Sequence, residues 1–143
     1  MWNELLNKAV EIAIKAHEGQ LDKQGKAYIL HPIAVMESVG DIKAKIVAIL
    51  HDVIEDTSVT LIGITPDFPP EIIDAVDAIS KRKGETNKDY IARVKQNKLA
   101  TAVKFADLGH NMSLERLFNL DEETVARLAK KYRKAWRALN SLD

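Results

Sequence analysis

The chain has 143 residues, the length of one ordinary domain, and 46% of them are hydrophobic, enough to build a continuous core. Lys plus Arg and Asp plus Glu both number 21, so the formal net charge is zero and no global field marks a nucleic-acid or anionic-membrane partner. Cysteine is absent, which excludes disulfides, thiolate zinc sites and cysteine nucleophiles.

The amino terminus, MWNELLNKAVEIAIKAHEG, mixes acids and bases into an amphipathic pattern and lacks the basic start and apolar run of a signal peptide. No stretch approaches the ~18 apolar residues of a membrane span. A soluble, cytoplasmic protein is expected. Leu5, Leu6, Ala9, Val10, Ile12, Ala13 and Ala16 recur at helical spacing and predict a helix over residues 3 to about 17, ended near Gly19. GQLDKQGKAYILHP follows as a loop, and HPIAVMESVG predicts a short helix with Pro32 in its first turn and Gly40 past its end. Asp41 is placed to cap the next helix, whose Ile46, Val47, Ile49, Leu50, Val53 and Ile54 run up to an acidic cluster.

A loop rich in Thr, Gly and Pro leads to FPPEIIDAVDAIS, which has proline at a helix start. Beyond the break KRKGETN, helices are expected over KDYIARVKQ and LATAVKFADLGHNM, and a last amphipathic helix begins at DEETVARLAKKYRKAWRAL. Its Tyr132 and Trp136 are read as core packing. No period-two alternation, repeat or low-complexity run interrupts the pattern. The expected fold is all-α, one compact domain over residues 1–143 with roughly six to eight helices.

The acidic cluster, His51, Asp52, Glu55 and Asp56, is the chemical feature of the chain. On a continuous helix Glu55 lies one turn after His51 and Asp52, and Asp56 one turn after Asp52, so the four side chains form one patch. Carboxylates near the negative end of a helix dipole are disfavoured by about 0.3–1 kcal/mol each, and a divalent cation would reverse that sign. Histidine and carboxylate donors without sulfur suit Mn, Fe, Zn, Co or Ni, and spacing does not choose among them. A charged, exposed helix end is the bland alternative. His31 in ILHPIAV and Asp107 in AVKFADLGHNM, each ionisable within an apolar surround, supply further candidate ligands.

His31, the His51-Asp52 pair and Asp107 resemble the H…HD…D ligands of the HD-domain phosphohydrolase superfamily. AHEGQLDKQGKAYILHP, ILHDVIEDT and VKFADLGHNM are similar to the three blocks of Rel/Spo-type (p)ppGpp hydrolases, which run roughly AHxGQxRKxGxPYxxHP, LLHDxxEDT and VKLADRLHNM. The match runs from about residue 16 to 112, and no synthetase domain fits in the remainder, so a stand-alone small hydrolase is expected. The resemblance implies a helical HD fold holding one divalent metal, usually Mn, through His31, His51, Asp52 and Asp107. It also implies that Glu55 and Asp56 activate or orient the attacking water. The expected reaction is hydrolysis of the 3′-pyrophosphate of ppGpp or pppGpp to GDP or GTP and pyrophosphate.

Lys23 matches a basic position of the first block, Lys83 a phosphate-contacting lysine of small relatives, and Asn111 the Asn of the HNM block. Tyr28 either walls the nucleoside pocket or buries its ring beside His31. His17 and His110 also match the blocks and are read as structural hydrogen-bonding groups. The departures are Asp22, where the family carries Arg, and Leu108 and Gly109 in place of Arg and Leu. They bear on guanine recognition and leave the metal site intact. Two alternatives follow: an HD phosphohydrolase for another nucleotide, such as a deoxynucleotide monophosphate or NADPH, or a non-catalytic module that binds alarmone or metal.

Overall fold

Helix α3 (Ile42–Leu50) is the element around which the others pack, because IKAKIVAIL is apolar on almost every side. In the computed structural model, which describes residues 1–142, Ile46, Val47, Ala48, Ile49 and Leu50 are all fully buried. Each large member of that run contributes about 1.5–3 kcal/mol through burial. Around α3 lie α1 (Trp2–Ala16), α2 (Leu30–Ser38), α6 (Pro70–Ile79) and α8 (Lys98–Asn111). Between these run α4 (Val53–Asp56), α5 (Leu61–Ile64) with a 3₁₀ turn (Thr65–Asp67), and α7 (Asn87–Lys95). The chain ends in α9 (Leu114–Leu117) and α10 (Glu122–Asn140), the latter packed on α7 and α8. No strand forms among the described residues; Leu21 and Ala27 make a lone antiparallel bridge.

The helix boundaries follow their local chemistry. Asp41 accepts from the Lys43 amide at the start of α3, Pro70 opens α6, Thr86 accepts from the Asp89 amide and Asn97 from the Ala100 amide. Asp121 caps α10 by accepting from the Thr124 amide at 2.7 Å. The 61–67 segment, expected as loop, forms α5 and the 3₁₀ turn, with Thr60 capping through the Gly63 amide. Trp136 lies edge-on to Phe105 at 5.6 Å and remains 40% exposed, while Tyr132 is half-buried and lines a surface cleft as well as packing.

The continuous helix expected through the acidic cluster is broken at His51 and Asp52. The His51 amide turns back to the Ala48 carbonyl at 3.3 Å, and Asp52 sits at φ −104°, ψ −1°, before α4 resumes with the Asp56 amide on the Asp52 carbonyl. The His51 ring nitrogen Nδ1 also meets the Ala48 carbonyl, at 2.6 Å. The Ala48 carbonyl thus meets both the amide and the ring of His51 at the single irregular turn.

Candidate metal centre and adjoining cleft

Three helices converge on one point. α2 brings His31 from its first turn, the α3–α4 junction brings His51 and Asp52, and α8 brings Asp107; α2, α3 and α8 pack against one another. His31 Nε2 is 2.8 Å from Asp107 Oδ1 and 3.8 Å from Asp52 Oδ2. His51 Nε2 is 3.0 Å from Asp52 Oδ2 and 3.3 Å from Asp107 Oδ1. His31, His51 and Asp107 are buried, which is costly for this many polar groups unless charge is balanced among them.

The donor set fits a divalent cation on its own geometry. His51 Nε2 is buried within ion-pair distance of both carboxylates, yet neither oxygen lies where a hydrogen bond would form. Its other nitrogen is engaged by the Ala48 carbonyl, an arrangement that places the proton on Nδ1 and leaves the Nε2 lone pair facing inward. Two imidazole nitrogens and two carboxylates, without sulfur, suit a borderline divalent metal.

The protonation equilibria of the side chains point the same way. Burial opposes charge on His51, but Asp52 and Asp107 outweigh it and raise its pKa well above the ordinary histidine value. Burial likewise disfavours the Asp52 carboxylate, yet His51 brings its pKa down to about 2. Asp107 is also held well below the usual range, against burial, by Lys104 and His51. The site therefore demands positive charge between its carboxylates, which a proton or a divalent cation can meet. His31 shifts downward, mainly through burial, and favours the neutral imidazole that a metal ligand requires.

A surrounding set of contacts orients these groups. Tyr28 donates its hydroxyl to Asp52 Oδ2 at 2.6 Å, with its ring 5.8 Å from that of His31, the second of the two placements expected for this residue. Asn111 donates to Asp107 Oδ1 at 3.1 Å, and Lys104 lies 2.9 Å from Asp107 Oδ2. Burial opposes the charge on Lys104, but Asp107 and Tyr90 raise its pKa and keep it an ammonium. Lys104 went unnoticed in the sequence, although it stands three residues before Asp107 and so shares its helix face. His17 and Gln20 form a chain to the acidic turn: His17 Nδ1 meets Gln20 Oε1 at 2.8 Å, and Gln20 Nε2 donates to the Asp56 carbonyl at 2.9 Å.

Glu55 and Asp56 form an exposed lip beside Asp52, with carboxylate atoms of all three within 4.8 Å of one another. Glu55 accepts from the Lys81 amide at 2.8 Å. Partial desolvation and then the Asp52 charge push both carboxyls up, Asp56 to about 7 with a further contribution from Glu55. Lys23 lines the adjoining cleft together with Asn111, Arg116, Leu128 and Tyr132. Lys83 is exposed in the 81–86 turn and contacts no site residue among those described; its neighbour Lys81 is the one joined to Glu55. Burial, followed by the positive charges of Lys104, Lys23 and Lys81, lowers the pKa of Lys131. α10 thus adds a cation to this side of the molecule that helical periodicity did not single out.

Asp22, the charge reversal noted in the sequence, is occupied by its own loop. Its Oδ1 accepts from the Gln24 amide at 2.8 Å and the Lys26 amide at 2.9 Å, while Gly25 turns the chain at φ +80°. Leu108 is buried in the core.

A family model described as "HD domain" matches residues 9–108. The chain is 32% identical over 139 residues to a probable GTP pyrophosphokinase of Mycobacterium leprae, covering 88% of this chain and 17% of that protein. It is 33% identical over 138 residues to a guanosine-3′,5′-bis(diphosphate) 3′-pyrophosphohydrolase of Borreliella burgdorferi, covering 86% and 20%. The chain thus spans a fifth or less of the length of these curated relatives, one named for synthesis and the other for hydrolysis. A solved structure described as a metazoan ortholog of SpoT that hydrolyzes ppGpp and plays a role in starvation responses matches with TM-score 0.78 at 21% identity. That match covers 97% of this chain and 87% of the other and shows a common fold.

Proposed function

The chain belongs to the HD-domain family, and on that premise we propose that it is a metal-dependent pyrophosphohydrolase, acting as one domain over residues 1–143, that removes the 3′-pyrophosphate of (p)ppGpp. The observation that carries the reading is the pairing of a two-histidine, two-aspartate centre, buried but for part of Asp52, with the Glu55-Asp56 lip. A pure binding module gains nothing from two extra carboxylates beside a polyanion. The hydrolase names of several relatives support the substrate class.

His31, His51, Asp52 and Asp107 would hold the divalent ion, which we assign as Mn²⁺ from the family resemblance. Such an ion supplies Lewis acidity and neutralises part of the phosphate charge. Asp56, its pKa raised to about 7, is suited to accept a proton from the attacking water near neutral pH. Glu55, anchored by the Lys81 amide, orients that water from the same lip. Lys23 and Lys131 screen the remaining phosphate charge, and Lys83 and Asn111 contact the substrate. Tyr28 and Lys104 hold Asp52 and Asp107 in place through the contacts described above. Attack on the phosphorus attached to the 3′ oxygen releases pyrophosphate and leaves GDP or GTP with a free 3′ hydroxyl. A cytoplasmic setting accompanies a soluble nucleotide substrate.

The test is product analysis with Mn²⁺ and, separately, ppGpp, NADPH and deoxynucleotide monophosphates. GDP and pyrophosphate are expected from ppGpp, with Asp52→Ala losing both metal and turnover. Glu55→Ala is expected to keep its metal while the rate falls about 10²–10⁴-fold. Turnover of another nucleotide alone would reassign the substrate, and binding without turnover would leave a sensing module.

A further inference from the structure

Arg116, on α9, carries a charged group that the metal centre does not use. By contrast, the two arginines of the 77–93 region are committed: Arg82 pairs with Asp77 at 2.8 Å, and Arg93 pairs with Glu85. Arg116 is half-buried, and its guanidinium makes no hydrogen bond or ion pair among the described residues. Its contact is with an aromatic face, Cζ lying 5.9 Å from the centre of the Tyr28 ring. A partly desolvated guanidinium without an acid partner is poised for something outside the chain.

The surroundings define what that is. Arg116 lines the cleft with Leu117, Leu120, Leu128 and Tyr132, which provide apolar and aromatic surface, while Asp22 and Lys23 add one charge of each sign. At its inner side the cleft is bounded by Asn111, which donates to Asp107, and Arg116 itself lies over Tyr28, which donates to Asp52. Arg116 is therefore one side chain removed from both Asp52 and Asp107, through Tyr28 and through the Asn111 that shares its cleft. Lys23 lines the same cleft, and its charge, with those of Lys81 and Lys104, acts on Lys131 of α10, so cations suited to phosphate adjoin the apolar wall. Such a cleft suits a nucleotide, with phosphates toward the lysines and the metal centre and a flat base against the apolar wall.

We propose that Arg116 is a specificity-determining residue that recognises the nucleobase by laying its guanidinium plane against the ring, with Tyr28 behind it and Tyr132 and Leu128 across the cleft. This deepens the nucleotide reading above and rests on it. It also gives the chain a planar cation beside the cleft although position 22 is an aspartate engaged by backbone amides.

Calorimetry on the Mn²⁺-loaded protein tests it, with GDP as the base-bearing probe and inorganic pyrophosphate as the base-free one. Arg116→Ala is expected to weaken GDP binding about tenfold or more and leave pyrophosphate binding unchanged. Arg116→Lys, which keeps the charge and loses the plane, is expected to behave like the alanine variant. Full recovery of GDP affinity in the lysine variant would overturn the proposal, as would equal weakening of both probes, unchanged GDP affinity, or no GDP binding by the unsubstituted protein. Neither variant removes an internal ion pair, and thermal melts matching the unsubstituted protein are the expected control. Failure of the unsubstituted protein to hydrolyse ppGpp would defeat the hydrolase reading; the GDP and pyrophosphate affinities decide the role of Arg116 separately.

Discussion

His31 presents the sharpest question at the level of single residues, because both of its ring nitrogens are engaged. Nε2 faces Asp107 at 2.8 Å, and Nδ1 lies 2.7 Å from Nδ1 of His110. Only one proton fits between the two Nδ1 atoms. For His31 to offer its Nε2 lone pair to a cation, that proton must belong to His31, which makes His110 the acceptor and puts the His110 proton on Nε2. Glu115 stands 3.5 Å from that atom, so its charge favours this arrangement. Removing the acceptor in His110→Ala should weaken metal binding about 10–100-fold. Metal content after dialysis against a graded series of chelator concentrations checks it, and His110→Gln, which retains an acceptor, should recover part of the loss.

At the level of elements, α3 joins two different demands in nine residues. Its amino end depends on a local cap, and its carboxyl end delivers His51 and Asp52 through an irregular turn. Asp41→Ala should lower stability by about 1 kcal/mol, read from the urea unfolding midpoint, because the Lys43 amide loses its acceptor. Metal retention should not change, since α3 separates this cap from His51 by about 15 Å. The 80–86 turn illustrates the reverse coupling, in which a loop serves the site. Arg93 reaches back from α7 to Glu85 and the Ser80 carbonyl, fixing the turn whose Lys81 amide holds Glu55.

Taken as a whole, the molecule is neutral but its charge is not evenly spread. Asp52, Glu55, Asp56 and Asp107 gather at one end of α3, and the cations that balance them come from the 21–26 loop, the 81–86 turn, α8 and α10. The packing around α3 carries both stability and ligand geometry. Leu50 is fully buried immediately before His51, and Leu50→Ala should cost about 2–5 kcal/mol in a denaturant titration through lost burial and the cavity left behind. The same substitution should weaken metal retention, because the turn that aims His51 and Asp52 loses the side chain on which it rests.

The amino-acid order alone determined the helical fold, since the 3–4 spacing of Ile72, Ile73, Val76 and Ile79, the caps Asp41 and Asp121, and the Pro70 start are local signals within a few residues of one another. It also marked His31, His51, Asp52 and Asp107 as a set, because ionisable residues inside apolar runs are conspicuous and their blocks resemble a known family. Only the tertiary structure decided how the set works. The helix is interrupted at His51, where the ring meets the Ala48 carbonyl, Asp22 is engaged by its own loop, and Lys104, Arg116 and Lys131 acquire significance from neighbours that approach across the fold. Periodicity records which face of a helix is buried; the charge, desolvation and reach of a side chain depend on what packs opposite it, and that is settled only when the helices meet.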